Sequence, residues 1–431
     1  LVPHERFYFP HFSDFRTRLY PLPQELTPQG DKIAKALLQF ADGKKLGTTG
    51  LKWLMIHAAN TFGMDKESLS NREQWAKDNL SMMAEVSSNP ITVRDWTKAD
   101  EPFGFLAVAK EITEAMELAD PSEYVSHLPC AMDGTVNGMQ ILSLMGRDVK
   151  GATATNCVAN MERQDLYSEV ATAVLTILKL QAPECDLSAE WFSKLNGDKK
   201  ASRAVVKQPV MTTPYGVTKK GMEDQVVATG QCDGFVSGSR VEAAKVMAGA
   251  IAQAMTKVNG KAVEIMEYLQ KTALVLCDNN LPFSWITPNG SQVTQAYTNL
   301  AEKRVLTVFG DVKLQIEDKE VGLNAMRTAN GSSPNVIHSF DAAMLQMTVL
   351  KMSQAGHADF AMIHDSYGVH ACSTEDLHVA LREVALKIFG GNVLEEIHAY
   401  VATHTDAELP NLPTLGEYDV NEILNAPYFF S

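Results

Sequence analysis

Leu128-Pro129-Cys130-Ala131-Met132-Asp133-Gly134 and Phe360-Ala361-Met362-Ile363-His364-Asp365-Ser366 are the two stretches on which the reading of this chain turns. Each is a short apolar run that ends on an aspartate followed by a small residue. Runs of this length and composition read as strands that carry a carboxylate to the tip. Two carboxylates presented this way can share a pair of divalent cations, the core of a phosphoryl-transfer site. Aspartates in ordinary strand-end turns are also common. The pattern alone leaves both readings open.

The 431 residues are enough for two to four compact units with ample core. A hydrophobic content of 45% and a charged content of 21% fit a globular protein. The longest apolar stretch, Ala244 to Met255, is too short to cross a bilayer and contains Lys245 and Gln253. The start, Leu1-Val2-Pro3-His4-Glu5-Arg6, is not a signal peptide and lacks an initiator Met, which reads as processing or a fragment. The cysteines Cys130, Cys157, Cys185, Cys232, Cys277 and Cys372 contain no Cys-x-x-Cys pair, pointing to a reduced, cytoplasmic compartment. His370-Ala371-Cys372 reads as ordinary strand side chains rather than a zinc pair. With 38 Lys+Arg against 52 Asp+Glu, the net charge is −14. That balance alone argues against a nucleic-acid binder. The basic residues bunch, however, at Arg16 and Arg18, Lys199 to Lys207, Lys219 and Lys220, and Lys303 and Arg304. An acidic shell around a basic cleft, or a missing basic partner, fits both facts.

Prolines punctuate residues 1–50, which read as loops and short strands. Helical spacing begins at Gly50, and Ser70 with Gln74 marks a further helix start. Phe103–Leu118, a helix starting in Gln140–Met145, 161–182 (an amphipathic helix), Glu242–Leu274 (one or two helices around Val258-Asn259-Gly260), His338–Met352 and Val379–Tyr400 also read as helical. Phe283 to Gly290 reads as a strand into a Pro-Asn-Gly turn. Residues 303–318 read as a hairpin around Gly310-Asp311, and 360–372 as a hairpin turning at Asp365-Ser366. The whole is a helix-rich α+β chain in which a mostly helical insertion, about residues 150–335, separates two strand-bearing segments that fold together.

Within the insertion, Arg203, Lys207, Met211 and Tyr215 recur every four residues, along one face of a helix. From Arg203 to Tyr215 such a helix spans about 18 Å. That lays two cations along a triphosphate and an aromatic ring near its sugar or base, and a transferring phosphoryl group needs such cations. Pro209 and Pro214 make the single face approximate in its second half. A solvated charged face is the plain alternative.

Taken together, these segments resemble the single-subunit RNA polymerases of bacteriophages, related to the mitochondrial enzymes. Asp14-Phe-Arg-Thr-Arg18 resembles the Asp-aromatic-Arg-Gly-Arg segment that opens their polymerase domain. Asp133-Gly-Thr-Val-Asn-Gly-Met-Gln140 is similar to the first catalytic-aspartate motif, and His364-Asp365-Ser366 to the second. Arg203 to Gly216 is similar to the nucleotide-binding helix, prolines included. Asp165-Leu-Tyr167, Trp285 to Gly290, Pro334 to Ser339 and the aromatic end Tyr428-Phe-Phe-Ser431 add further likeness, so that the resemblance covers essentially the whole chain.

The resemblance implies a right-hand polymerase. Residues 1–150 and 336–431 would form a palm with a small antiparallel sheet, and 151–335 the fingers. Residues 303–318 fall where the family carries its promoter-reading hairpin. It implies that Asp133 and Asp365, with the Gly134 carbonyl, bind two Mg2+ ions, which suit carboxylates plus substrate phosphates. By the same likeness Lys207 contacts the phosphates and can protonate the leaving group, and Arg203 is its phosphate partner. Tyr215 closes the nucleotide site and helps tell ribose from deoxyribose, and His338 contacts the incoming ribose. Tyr167 and Arg147 match supporting positions. Arg16 and Arg18 hold the template or hybrid backbone.

The implied activity is that of a DNA-directed RNA polymerase, a nucleotidyltransferase. It would join NTPs to an RNA 3′-hydroxyl on a DNA template from a promoter, transcribing phage genes in the cytoplasm of an infected bacterial host. Thr17 departs from the family's glycine. The family's N-terminal domain and thumb have no counterpart before Asp14. The expectation is therefore a second polypeptide that supplies them, with a truncated fragment as the alternative. A palm–fingers DNA polymerase shares the two aspartates and a Lys/Tyr helix, but His364-Asp365-Ser366 and Met211 to Gly216 favour RNA synthesis. A non-catalytic nucleic-acid-binding subunit would be expected to have lost an aspartate or the lysine, and neither is lost.

Overall fold

Cys130 and Met132 alternate with less buried neighbours along the strand Pro129–Asp133, as a strand with one face in a core requires. In the computed structural model, which describes residues 6–318 and 320–431, this strand pairs antiparallel with Ser366–His370. The register sets Asp133 opposite Ser366, Met132 opposite Tyr367 and Cys130 opposite Val369. Ala361–Ile363 adds a third, outer strand through a two-residue turn, His364-Asp365. The expected hairpin is therefore present with its turn one residue earlier, and His364 carries the turn at a φ of +35°. The two aspartate-bearing segments thus fold into one sheet although the whole helical middle of the chain lies between them.

Around this sheet the protein is helix-rich α+β with small antiparallel sheets. Gly47–Phe62 packs against Leu69–Asp78 and Pro102–Met116, and Asn137–Gly146 follows the first aspartate directly. Ser68, rather than Ser70, caps Leu69–Asp78, its hydroxyl accepting from the Asn71 N–H at 3.1 Å. Helices Leu166–Gln181, Asp186–Leu195, Lys199–Thr212, Lys219–Ala228, Arg240–Val258 and Gly260–Asp278 form most of the middle of the chain. Residues 161–165, expected in the first of these, lie before it, because the helix begins after Asp165.

The long helix Ala325–Gln354 starts well before the expected His338. Asn324 caps it by accepting from the Arg327 N–H, and Pro334 sits inside without ending it. It packs against Gly260–Asp278 on one side and Thr374–Phe389 on another. The single helix expected over 379–400 is two, Thr374–Phe389 and Val393–Ala402, divided at Gly390-Gly391-Asn392. The hairpin Leu300–Thr307 and Gly310–Glu317 turns at Val308-Phe309 instead of Gly310-Asp311, since Thr307 pairs with Gly310. Both tip residues are almost fully exposed. Pro3, expected as loop punctuation, lies outside the described residues. Among the described residues no helix is long and apolar enough to cross a membrane.

Pro209 is tolerated inside Lys199–Thr212, and the chain then tightens into the 3-10 turn Thr213–Tyr215. Gly216 ends that turn at a φ of +76°, where a Cβ would lie 2.8 Å from the Asn330 carbonyl oxygen of the long helix. Ser333 locks the contact by donating to the Pro214 carbonyl at 3.0 Å. Gly216→Ala should therefore cost about 1–2 kcal/mol from backbone conformation alone, with the clash in addition. Thermal denaturation checks this: an unchanged midpoint would contradict the close approach.

Candidate functional site

The Gly134 N–H donates to the Asp365 carbonyl at 3.1 Å, so the backbones that carry the two aspartates are joined directly. Behind Asp133 the C-terminal tail closes the sheet edge. The Ser431 N–H donates to the Asp133 carbonyl at 3.2 Å, and Phe430 bridges to Gly134. A Cβ on Gly134 would lie 3.1 Å from the Phe430 ring, so glycine suits this seam. Buried Arg382 anchors the tail by donating to the Ala426 carbonyl at 2.9 and 2.6 Å.

Both aspartates remain open to solvent. Burial of the surrounding site, and then the neighbouring Asp133 charge, push the Asp365 carboxyl above its ordinary pKa. A divalent cation shared with Asp133 would relieve that repulsion. Among the described residues no group of three or more His, Cys, Asp or Glu side chains is arranged to hold a metal. Two carboxylates without a protein cage suit Mg2+, which keeps waters and accepts substrate phosphates, better than zinc.

The cationic helix begins at Lys199 because Asp198 accepts from the Ala201 N–H at 2.8 Å. Arg203 is held by Asp165, at 2.6 Å from Nε and 3.2 Å from Nη2, and lies 5.1 Å over the Tyr167 ring. Burial opposes the Asp165 charge, but the hydrogen bonds from Arg203 and Ser168 outweigh it and hold the carboxyl below its usual pKa. Lys207 is exposed and has no ion-pair partner among the described residues. The Tyr215 ring stacks on His338, 5.0 Å between centroids at 27°.

His338 Nδ1 lies 2.8 Å from Arg16 Nη1. Arginine only donates, so this nitrogen accepts and the ring proton sits on Nε2. Burial, followed by the charges of Arg18 and Arg16, lowers the His338 pKa to about 3. The imidazole is therefore neutral at physiological pH.

Arg16 also chelates Asp14, at 2.8 and 2.6 Å, and Arg18 forms a two-pronged pair with Asp341 on the long helix. Both arginines therefore face inward. Asp341 is 1% exposed, and burial, opposed by Arg18, raises its carboxyl to about 7. Thr17 between the arginines has a φ of +67°, and its hydroxyl is buried without a partner among the described residues. This is the place where glycine was expected. Arg147 stands apart from the site, capping Asn137–Gly146 and donating to the Gly390 carbonyl at 3.0 Å.

The sequence reading missed Asp341, Lys66 and Arg163. The last two line a cavity of about 340 Å3 with Gln164, Asp165 and Arg203. The signal was present in Arg163, two residues before the Asp165-Leu-Tyr167 match, but a helix was expected across it.

The family model of DNA-dependent RNA polymerases matches residues 44–407. DNA-directed RNA polymerase 2, chloroplastic/mitochondrial, of Arabidopsis thaliana is 36% identical over 440 residues, covering 99% of this chain and 43% of that protein. The chloroplastic DNA-directed RNA polymerase 3 of Nicotiana sylvestris is 33% identical, covering 100% of this chain and 44% of its own. The mitochondrial enzyme of Schizosaccharomyces pombe is 31% identical, covering 99% of this chain and 40% of its own. The chain spans about two fifths of the length of these relatives. In them the matching region belongs to one longer polypeptide, which gives no support to the expected second subunit. The expected location, the cytoplasm of an infected bacterial host, is corrected by the same matches. The relatives are named as chloroplast and mitochondrial enzymes, which points to organelles rather than a phage-infected bacterium.

Thr17→Gly should stabilise the Asp14–Arg18 turn, because a β-branched residue at positive φ costs about 1–2 kcal/mol. The entropy that glycine loses on folding offsets part of this. A rise of a few degrees in melting temperature is expected, whereas a fall would show that the turn does not strain threonine.

Proposed function

The chain belongs to the DNA-dependent RNA polymerase family, and on that premise we propose that it carries the nucleotidyl-transfer centre of a DNA-templated RNA polymerase. The observation that carries this reading is the sheet pairing that sets Asp133 and Asp365 side by side. Residues 1–150 and 336–431 are the palm in this reading, and 151–335 the fingers. Asp133 and Asp365, with the Gly134 carbonyl, would hold two Mg2+ ions, which would supply activation of an RNA 3′-hydroxyl and charge stabilisation of the leaving pyrophosphate.

The remaining work falls to the chain's own side chains. Lys207, free of ion pairs among the described residues, receives the triphosphate and supplies a proton to the departing pyrophosphate. Arg203 joins it by exchanging Asp165 for phosphate oxygens, and Tyr167 supports the guanidinium from below. The stacked Tyr215 and His338 form a platform for the incoming ribose, with the His338 Nε2 proton available to an oxygen acceptor. That platform suits selection for a 2′-hydroxyl. Arg16 and Arg18 border the template and hybrid, and their pairs with His338 and Asp341 fix the platform in place. The exposed hairpin Leu300–Glu317 is the promoter-reading element. DNA template, NTPs and RNA product are the partners this requires.

Primed-template extension tests the reading. Asp365→Ala should lower extension by about 10³-fold or more, and Lys207→Ala by about 10²–10³-fold with template affinity unchanged. Unaltered extension by Asp365→Ala removes the metal assignment. Equal loss of extension and template binding in Lys207→Ala removes the phosphate role. Preference for deoxynucleotides over ribonucleotides would turn the reading toward DNA synthesis.

A further inference from the structure

Burial, followed by the charge of Arg163, lowers the Arg72 pKa, and burial lowers that of Arg163, yet the two arginines are treated differently by their surroundings. Arg72, which is 0% exposed, has an acceptor for each of its three nitrogens. Its Nε donates to the Glu67 carbonyl at 2.9 Å, Nη1 to Asn60 at 2.9 Å and Nη2 to the Ser431 hydroxyl at 3.5 Å. Arg163, whose side chain is 13% exposed, has a buried Nη1 with no hydrogen-bond acceptor among the described residues. Its nearest carboxylate, Asp65, lies 3.7 Å away and is shared with Lys66 at 2.5 Å. A buried cation left without acceptors costs several kcal/mol unless something pairs with it.

Arg163 opens onto the 340 Å3 cavity that Lys66 and Arg203 also line. Three cations therefore line it with one carboxylate, Asp165, which is already engaged by Arg203. The volume is about ten times the share of one water molecule in the liquid, enough for a small polyanion. Gln164, which also lines the cavity, donates its backbone N–H to Asn156 Oδ1 at 2.7 Å, and Asn156 donates to the Thr135 hydroxyl at 3.4 Å, which ties the cavity wall to the segment that follows Asp133.

We propose that Arg163 is a phosphate-contacting residue that holds the pyrophosphate end of the nucleotide, before transfer as the β- and γ-phosphates and after transfer as the leaving group. Its guanidinium supplies the donors, Lys66 and Arg203 complete the cationic wall, and Asp165 releases Arg203 as the anion arrives. This rests on the polymerase reading and adds to it a residue that lies in a loop outside the cationic helix. The same chemistry would recognise a backbone phosphate of template or product, so the test must separate the two sources.

The reverse reaction separates them. Pyrophosphate attacks the terminal phosphodiester of the RNA, the bond to the preceding 3′-oxygen breaks, and an NTP leaves with the chain one nucleotide shorter. For Arg163→Ala, the pyrophosphate concentration giving half-maximal reverse rate should rise at least tenfold while affinity for primed template stays within twofold. Arg163→Lys should restore part of the loss. An unchanged pyrophosphate dependence overturns the proposal, and so does a loss confined to template affinity. If Arg163→Ala fails to fold, Arg163→Gln, which keeps bulk and a donor without charge, replaces it. Calorimetric binding of magnesium pyrophosphate to the wild-type chain and the same variants gives a second reading. Wild-type chain that binds pyrophosphate through Arg163 but never extends a primer would sink the polymerase reading alone. Extension with no dependence of pyrophosphate binding on Arg163 would sink only this inference.

Discussion

One register holds the site together: Asp133 opposite Ser366, with the Gly134 N–H on the Asp365 carbonyl. Because side chains alternate along a strand, a slip of one residue would turn Met132 outward and Asp133 into the core. Burial of Cys130, Met132, Tyr367 and Val369 on one face forbids that slip. The hydrophobic core thus fixes the distance between two charges that repel each other. Phe430 and Ser431, drawn back to the same edge by Arg382, seal it from the other side.

Electrostatics then divides the surroundings into paired and unpaired charges. Arg18 with Asp341, and Arg16 with Asp14 and His338, are internal and hold the Tyr215–His338 stack against the long helix. A buried pair of this kind adds little net stability, but breaking it strands a charge. It is better understood as fixing geometry. Arg203 is paired with Asp165, Arg163 has only a long contact to Asp65, and Lys207 has no ion-pair partner among the described residues. In the proposed reading, the charges facing the cavity are those that a triphosphate would complete, which would let an overall acidic chain take a polyanionic substrate.

Much of this was legible in local sequence. The apolar runs ending at Asp133 and Asp365 did become strand and turn, and the four-residue spacing from Arg203 to Lys207 did fall on one helix. Failures came where tertiary contacts overrode local cues. Pro334 hid the first half of the long helix, which survives because Asn324 caps it and the Tyr215 turn packs on it. Thr17 stands out in the sequence as a departure from the family's glycine, and its φ of +67° explains why glycine suits that position. Arg163 was read into a helix because its neighbours are helical, yet Asp165 spends its carboxylate on Arg203 and Ser168, and the helix begins only after it. That the two aspartate-bearing segments fold together is legible in the sequence, but the register that sets Asp133 opposite Ser366 is not, since it is set by the core.

The most direct measurement is anomalous scattering from crystals of the chain grown with primed template, an NTP and Mn2+ in place of Mg2+. The account predicts two manganese peaks, each coordinated by Asp133 or Asp365 and by triphosphate oxygens. Manganese bound elsewhere, with neither carboxylate coordinating, would contradict it.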